Sequence, residues 1–268
     1  MMTLMAGFKT ILCEKKEPIL YITLNRPQVV NAINPRMAME LEEACLKANQ
    51  EGDIRAVIIT GAGDSFCSGV DLKEFADNIL KEASLTELKE FVLRYNVASI
   101  VAGINCPVIA AINGEALGMG LALALGCDLR LASEGASFGV PDTAHGYLLP
   151  SGITQWLPRI VGRGKALEML LTAEPMGAQQ VYQIGLIHRV VPSSELIPEV
   201  ERLARKMVSG APLSLKYAKE AVHKGLDLTL EQGLGLECDL YMILQTTQDR
   251  VEGITAFLQK RTPQFKGK

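Results

Sequence analysis

Ala110-Ala-Ile-Asn-Gly-Glu-Ala-Leu-Gly-Met-Gly-Leu-Ala-Leu-Ala-Leu-Gly-Cys-Asp128 begins as the end of an apolar strand, Val108 to Ile112. It turns at Asn113-Gly114, a pair that tolerates positive φ. From Leu117 to Leu125 it is apolar all round, which predicts a buried helix or interior wall. The run is too short and too interrupted by glycine to span a membrane. Gly114, Gly118 and Gly120 fall where this helix would begin. A helix start carries unpaired N–H groups, and missing side chains let a polar atom reach them. This points to a site that holds a developing negative oxygen on main-chain N–H groups. The same glycines also suit a helix packed closely on a neighbour, and on this stretch alone the two readings stand level.

Spacing removes two other glycine-loop readings. A dinucleotide loop needs a third glycine where Leu123 stands, and no G-K-[ST] follows to make a nucleotide phosphate loop. The chain has 268 residues, 48% of them hydrophobic and 21% charged, with net charge -3. Such a balance describes a globular protein with no electrostatic case for nucleic acid or an anionic membrane. The six cysteines form no CxxC pair, and His145, His188 and His223 lie far apart. A metal site and a disulfide framework are therefore not expected, and a reducing, cytoplasmic setting is. Met1 to Phe8 has neither the basic nor the apolar region of a secretory signal.

Working outward, Lys9 to Asn25 reads as two strands, with a turn at Glu17-Pro18 before Ile19–Leu24. Asn34-Pro35 predicts a capped helix burying Met37, Leu41, Ala44, Cys45 and Ala48. Ala56–Thr60 reads as a buried parallel strand. Residues 65–74 read as a loop entering a helix, and a further helix is expected over 84–101, with Leu88, Phe91, Val92 and Tyr95 on one face. Strands follow at Leu129–Ala132 and over 185–191, with helices over 153–160 and 164–172 between them. Everything beyond Pro192 reads as helix. Strand and helix alternate at roughly 50-residue intervals, which argues for stacked ββα turns with a helical tail. The division expected is a core over 1–192 and a helical region over 193–268.

Several stretches together resemble the crotonase (enoyl-CoA hydratase/isomerase) superfamily. Ser65-Phe-Cys-Ser-Gly-Val-Asp-Leu-Lys73 is similar to its F-x-[AS]-G-x-D-[IL]-K segment, and Asn113-Gly-Glu-Ala-Leu-Gly-Met-Gly120 to its N-G-x-A-x-G-[GA]-G segment. Phe138-Gly-Val-Pro-Asp142, with Thr154-Gln155 and Pro158-Arg-Ile-Val-Gly162, resembles a third. Leu24-Asn-Arg-Pro27 and Ala256-Phe-Leu-Gln-Lys-Arg261 also fit, so the match runs in order over nearly the whole chain. The resemblance implies an α/β, crotonase-like spiral of ββα turns with a C-terminal helical trimerisation region, assembling as a homotrimer or homohexamer. It implies an acyl-coenzyme A thioester substrate, with coenzyme A part of the substrate and no separate cofactor. The thioester carbonyl would sit between the N–H groups of Val70 and Met119, beside Gly118. Each such donor is worth about 3 kcal/mol in comparable oxyanion holes. The coenzyme would lie along Gln28, Val29, Ser68, Asp71 and Leu72, with Phe257 and Lys260 reaching it, in many members from a neighbouring subunit.

The chain departs from the hydratase pattern at two carboxylates. Ala122 stands where one glutamate is usual, and Asp142 replaces the other. One carboxylate suits a proton shuttle between two carbons, which is double-bond isomerisation, or hydration with one residue in both roles. Asp142 is the expected acid/base; a loop aspartate capping a turn is the plain alternative. Glu115 could replace the lost carboxylate or simply favour the helix dipole. His145 could tune Asp142 or be a hydrogen-bonded structural histidine. Cys67 is by default a buried inert thiol rather than a nucleophile. Tyr147 and Trp156 are aromatic candidates for an acyl pocket, though core packing is the commoner role. Two other readings compete: a decarboxylase or hydrolase of a carboxylated or cyclic acyl-CoA, and a non-catalytic acyl-CoA binder or scaffold.

Overall fold

A computed structural model describes residues 2–4, 7–79, 86, 95–148 and 150–268. Among the described residues ten strands form two sheets. The larger has seven strands in the order β1-β2-β3-β4-β5-β7-β10: β1 Met2–Leu4, β2 Ile11–Lys16, β3 Ile19–Leu24, β4 Ala56–Gly61, β5 Val108–Ile112, β7 Leu129–Ser133 and β10 Arg189–Val191. The pairs β1–β2 and β2–β3 are antiparallel, and every pair from β3 onward is parallel. The smaller sheet joins β6 Ala116–Leu117, β8 Ser137–Gly139 and β9 Met176–Gly177.

The continuously apolar strands are buried on both faces, as parallel strands must be when helices cover each side. One face, with Leu20, Ile22, Val57, Ile59, Val108 and Ala110, packs on Met37, Leu41 and Ala44 of the helix Pro35–Gln50. The other face, with Ile19, Tyr21, Ala56, Ile58 and Ile109, is covered by Leu196, Val200 and Ala204 of the helix Leu196–Val208. Burying each Leu or Val of this kind contributes about 1.5–3 kcal/mol. Beyond it the described elements are the helices Pro212–Gly225, Leu230–Gln245 and Gln248–Leu258. No helix of the described residues is long and apolar enough to cross a membrane.

The Asn34 cap is present: its side chain accepts from the Met37 N–H at 2.9 Å. Other expectations need correction. The expected helix over 84–101 lies mostly outside the described residues, Leu88, Phe91 and Val92 included. Where it is described, it does not run on to residue 101, because a separate helix Val97–Ala102 starts there under an Asn96 cap. The last strand begins at Arg189 rather than at 185, because Gly185 is in a left-handed turn at φ 77°. The short helix Ala178–Gln183 and strands β1, β6, β8 and β9 carry too few residues to show a period.

The central stretch differs in one instructive way. Asn113 and Gly114 do not adopt positive φ. Gly114 is required instead by close approach, since a Cβ there would overlap the Asp64 carbonyl oxygen. The helix begins at Met119, not Leu117, because Ala116–Leu117 pairs as β6 and Gly118 turns the chain at φ 48°. All seven residues of Met119–Leu125 are buried. A Cβ at Gly120 would overlap the Cys67 carbonyl oxygen. Gly120→Ala should therefore lower stability by about 1–3 kcal/mol or more, an overpacking cost against backbone that cannot rotate away. Urea denaturation would show this as a lower midpoint at unchanged slope.

Candidate active site

Three backbone segments meet at Gly118. The segment Phe66–Val70 runs beside Glu115–Gly118, with Cys67 N–H donating to Glu115 O at 2.8 Å and Leu117 N–H to Cys67 O at 3.0 Å. On the other side Gly118 N–H donates to Gly139 O at 2.9 Å, which draws in the 3-10 helix Pro141–His145. A Cβ at Gly69 would stand 3.7 Å from Met119 N and 3.2 Å from Leu117 O. A Cβ at Gly118 would stand 2.7 Å from Asp142 Oδ2. The Gly69–Val70 and Gly118–Met119 peptides thus lie side by side, with the Asp142 carboxylate against the second. Met119 is the first residue of its helix, so its N–H has no acceptor within it. Among the described residues neither the Val70 N–H nor the Met119 N–H donates to a protein acceptor.

Asp142 is 3% exposed. Burial raises its carboxyl above the usual aspartate range, against smaller opposing effects of its own N–H and of His145. A carboxyl of raised pKa held against one of two neighbouring peptides can give and take a proton beside an oxygen that gains charge. Tyr147 is half-buried near it: its N–H donates to the Asp142 carbonyl at 3.2 Å, and its phenol is raised by burial and then by the Asp142 charge. His145 is exposed, its Nδ1 lies 2.8 Å from Pro141 O, and its ring stacks on Tyr147 with centroids 6.1 Å apart.

The other candidates divide. Gln28, Val29, Ser68, Asp71 and Leu72 come together, because Ser68 N–H donates to Val30 O and Asp71 N–H to Ile33 O. Gln28 and Leu72 are exposed there. The Asp71 carboxylate is already engaged, 2.9 Å from Arg26 Nη2. Glu115 is exposed, and its backbone rather than its side chain joins the site. Phe257 is 82% exposed on the helix Gln248–Leu258, and no described hydrogen bond or ion pair links it or Lys260 to the Gln28–Leu72 segment. Cys67 fits the inert reading, its thiol pushed up to about 12 by burial. Trp156 is partly buried against the core. It lines a cavity of about 400 Å³ at the far end of the central helix, with Leu125, Asp128 and His223. Among the described residues no group of three His, Cys, Asp or Glu is placed to hold a metal ion.

The family model described as enoyl-CoA hydratase/isomerase matches residues 14–268. The chain belongs to the enoyl-CoA hydratase/isomerase family. It is 40% identical to the 2,3-dehydroadipyl-CoA hydratase of Escherichia coli, over 96% of this chain and 99% of that protein. It is 37% identical to the crotonyl-CoA hydratase of Syntrophomonas wolfei, over 97% of this chain and 98% of that one. The crystal structure of enoyl-CoA hydratase from Bacillus anthracis superposes with a TM-score of 0.91 at 36% identity, covering 97% of this chain and all of that one. The fold is therefore the crotonase fold of the family.

Two further residues shape this site: Asn31, which sequence reasoning passed over, and Asn113, which it reads as a turn and motif residue. Asn31, fully buried, donates to Ala62 O and Ser65 O and accepts from Arg26 N–H. Asn113 donates to the carbonyls of Gly61 and Gly63. Both ends of the Gly61–Ser65 loop are thus fixed by side-chain amides. An asparagine beside a strand end was the available signal, and it reads first as a turn residue.

The raised pKa of Asp142 has a consequence for stability. A carboxyl whose pKa is higher folded than unfolded binds more proton when folded, so its cost to folding grows as pH rises through that range. Asp142→Asn should therefore melt higher than the parent at neutral pH, with the gap closing as pH falls below about 4, the ordinary aspartate value. Thermal melts of both proteins at several pH values would check it; a constant gap would mean that the charge is not the cause.

Proposed function

We propose that this family member polarises an acyl-coenzyme A thioester between the Val70 and Met119 N–H groups and moves the proton with Asp142 alone. The observation that carries this is the Asp142 carboxylate lying on Gly118, one residue before the second donor. Coenzyme A enters as part of the substrate, along the exposed edge formed by Gln28, Val29, Ser68 and Leu72. With the carbonyl oxygen held by two N–H groups, charge that arrives on it during enolate formation is met by fixed dipoles and needs no solvent rearrangement. In hydration, water adds to C3 of a 2-enoyl thioester and gives its proton to Asp142, which delivers a proton to C2. In isomerisation, Asp142 takes a proton from C2 of a 3-enoyl thioester and returns one to C4. Both cycles close on a single carboxyl.

The hydratase relatives favour hydration as the main reaction. Isomerisation is favoured by Ala122, which is buried and brings no second carboxylate to the central helix. The E. coli relative acts, by its name, on a thioester that carries a free carboxylate at its other end, so a carboxylated acyl group belongs among the substrates tested. Loss of conjugated thioester absorbance with crotonyl-CoA would establish hydration. Gain with a 3-enoyl-CoA alone would establish isomerisation. Binding without turnover on either, or on a carboxylated thioester, would leave a scaffold. Asp142→Asn should lower kcat about 10²-fold or more. Met119→Pro, which deletes a donor, should abolish turnover while Met119→Leu keeps most of it.

We also propose that further copies of the chain cover the helices Leu230–Gln245 and Gln248–Leu258, where Leu230, Leu234, Tyr241, Met242, Ile254 and Phe257 are exposed. A patch of this kind marks an interface. Trimers or hexamers could then bring Phe257 and Lys260 to a neighbour's coenzyme. Sedimentation should show three or six chain masses; a monomer would remove both residues from that role.

A further inference from the structure

We infer that the ion pair between Arg26 and Asp71 holds the Val70 N–H in place beside the Met119 N–H, making both charged residues positioning residues rather than coenzyme A contacts. This rests on the reading of those two N–H groups as the carbonyl site.

The donor segment is pinned along one edge. Ile33 N–H donates to Gly69 O at 2.7 Å, and Asp71 N–H donates to Ile33 O at 2.9 Å, so the bonds fall on either side of Val70. In such a parallel bridge the Val70 N–H points to the opposite edge, toward the segment that holds Met119. The placement of Val70 is therefore only as good as the placement of Ile33.

Ile33 follows an unfavourable piece of backbone. Val30 and Asn31 both sit at φ 54°, a left-handed conformation that a β-branched residue such as valine resists. Conformations of this kind persist only where surroundings impose them. Arg26 does much of the imposing. Its N–H donates to Asn31 Oδ1 at 3.0 Å, and its Nη1 donates to Ala32 O at 2.6 Å. Its Nη2 reaches Asp71 Oδ2 at 2.9 Å and Glu74 Oε1 at 3.2 Å. One planar guanidinium thus joins the carbonyl before Ile33 to the carboxylate after Val70. The Asp71 carboxylate also faces the start of the helix Leu72–Ile79, its Oδ1 accepting from Glu74 N–H at 3.4 Å. Glu74 in turn accepts from Asn34 Nδ2 at 2.8 Å, and Asn34 caps the helix Pro35–Gln50.

The Arg26 and Asp71 side chains are 12% and 11% exposed, so solvent replaces little of what either would lose. A lysine has one arm and cannot hold Ala32 O and Asp71 together in the same geometry.

The test combines kinetics with a spectrum. A bound 2,4-hexadienoyl-CoA should absorb at longer wavelength than the free thioester when its carbonyl is polarised. Arg26→Met and Asp71→Asn should both lose most of that shift. Their kcat should fall about 10-fold or more with KM little changed, since a misplacement near 1 Å can cost 10²-fold. The double variant should be no worse than the poorer single one, because the two act as a unit. Arg26→Lys should fall between Arg26→Met and the parent. If Arg26→Met does not fold, Asp71→Asn decides alone, since it keeps both the side-chain size and the capping oxygen. A raised KM with kcat and the spectral shift intact would make Asp71 a coenzyme contact and overturn the inference. A parent protein with turnover but no spectral shift would instead overturn the carbonyl-site reading, and the inference with it.

Discussion

The structure depends on backbone lying directly against backbone without side chains between. At Gly114 and Gly120 any Cβ would occupy the space of a carbonyl oxygen, of Asp64 and of Cys67. At Gly118 it would press on the Asp142 carboxylate. These contacts bring the loop after β4 onto the start of the central helix, closer than two ordinary chain segments can come. The consequence is chemical as well as structural. Two peptide N–H groups become neighbours, and the carboxyl of a third segment is held against one of them. A larger residue at any of these positions would separate the parts by about a van der Waals contact distance, which is more than the tolerance of a reacting geometry.

Burial then sets the electrostatics. Asp142 loses water on folding, and desolvation is the largest influence on its pKa, so its proton is held more tightly than that of an exposed aspartate. Arg26 and Asp71 illustrate the opposite arrangement, two charges taken largely out of water but matched to each other. Asp128 is a third case. It too is desolvated, but Lys219, His223 and the Val108 N–H all bond to it, and its pKa is lowered. The same residue type is thus tuned in opposite directions by whether partners accompany burial. Of the two, the carboxyl whose proton is bound more firmly is the one at the convergence of the glycine segments, where a proton donor and acceptor is of use.

Much of this was legible in the sequence. The apolar runs of β3, β4 and β5 announced themselves, and so did the capped helix Pro35–Gln50, because each has a long period or a cap with a defined residue type. Gly118 is marked by falling where a helix would begin, and Asp142 by following Pro141 in a family-like segment. What failed did so for physical reasons. In the sequence Gly114 reads as half of a turn pair that tolerates positive φ, whereas its role is to be small, a property of its neighbour across space rather than of the local chain. Arg26 stands in the sequence only as part of Leu24-Asn-Arg-Pro27, since a side chain's partners 45 residues away leave no mark on spacing.

The division of labour at the site explains which positions the sequence must keep. On the proposed reading the carbonyl is bound by main chain, so Val70 and Met119 contribute atoms common to every residue except proline. Their side chains are buried and packed, and answer to the core rather than to the substrate. The proton, in contrast, needs a titratable side chain, and one carboxyl must then be at hand for both its removal and its return. A shorter acid held directly against Gly118 meets that demand through position: its backbone is drawn in by the Gly118–Gly139 hydrogen bond, so reach is supplied by the fold rather than by the side chain. Ala122, on the next turn of the same helix, can then serve packing alone, and the chemistry narrows to reactions in which one group carries a proton both ways.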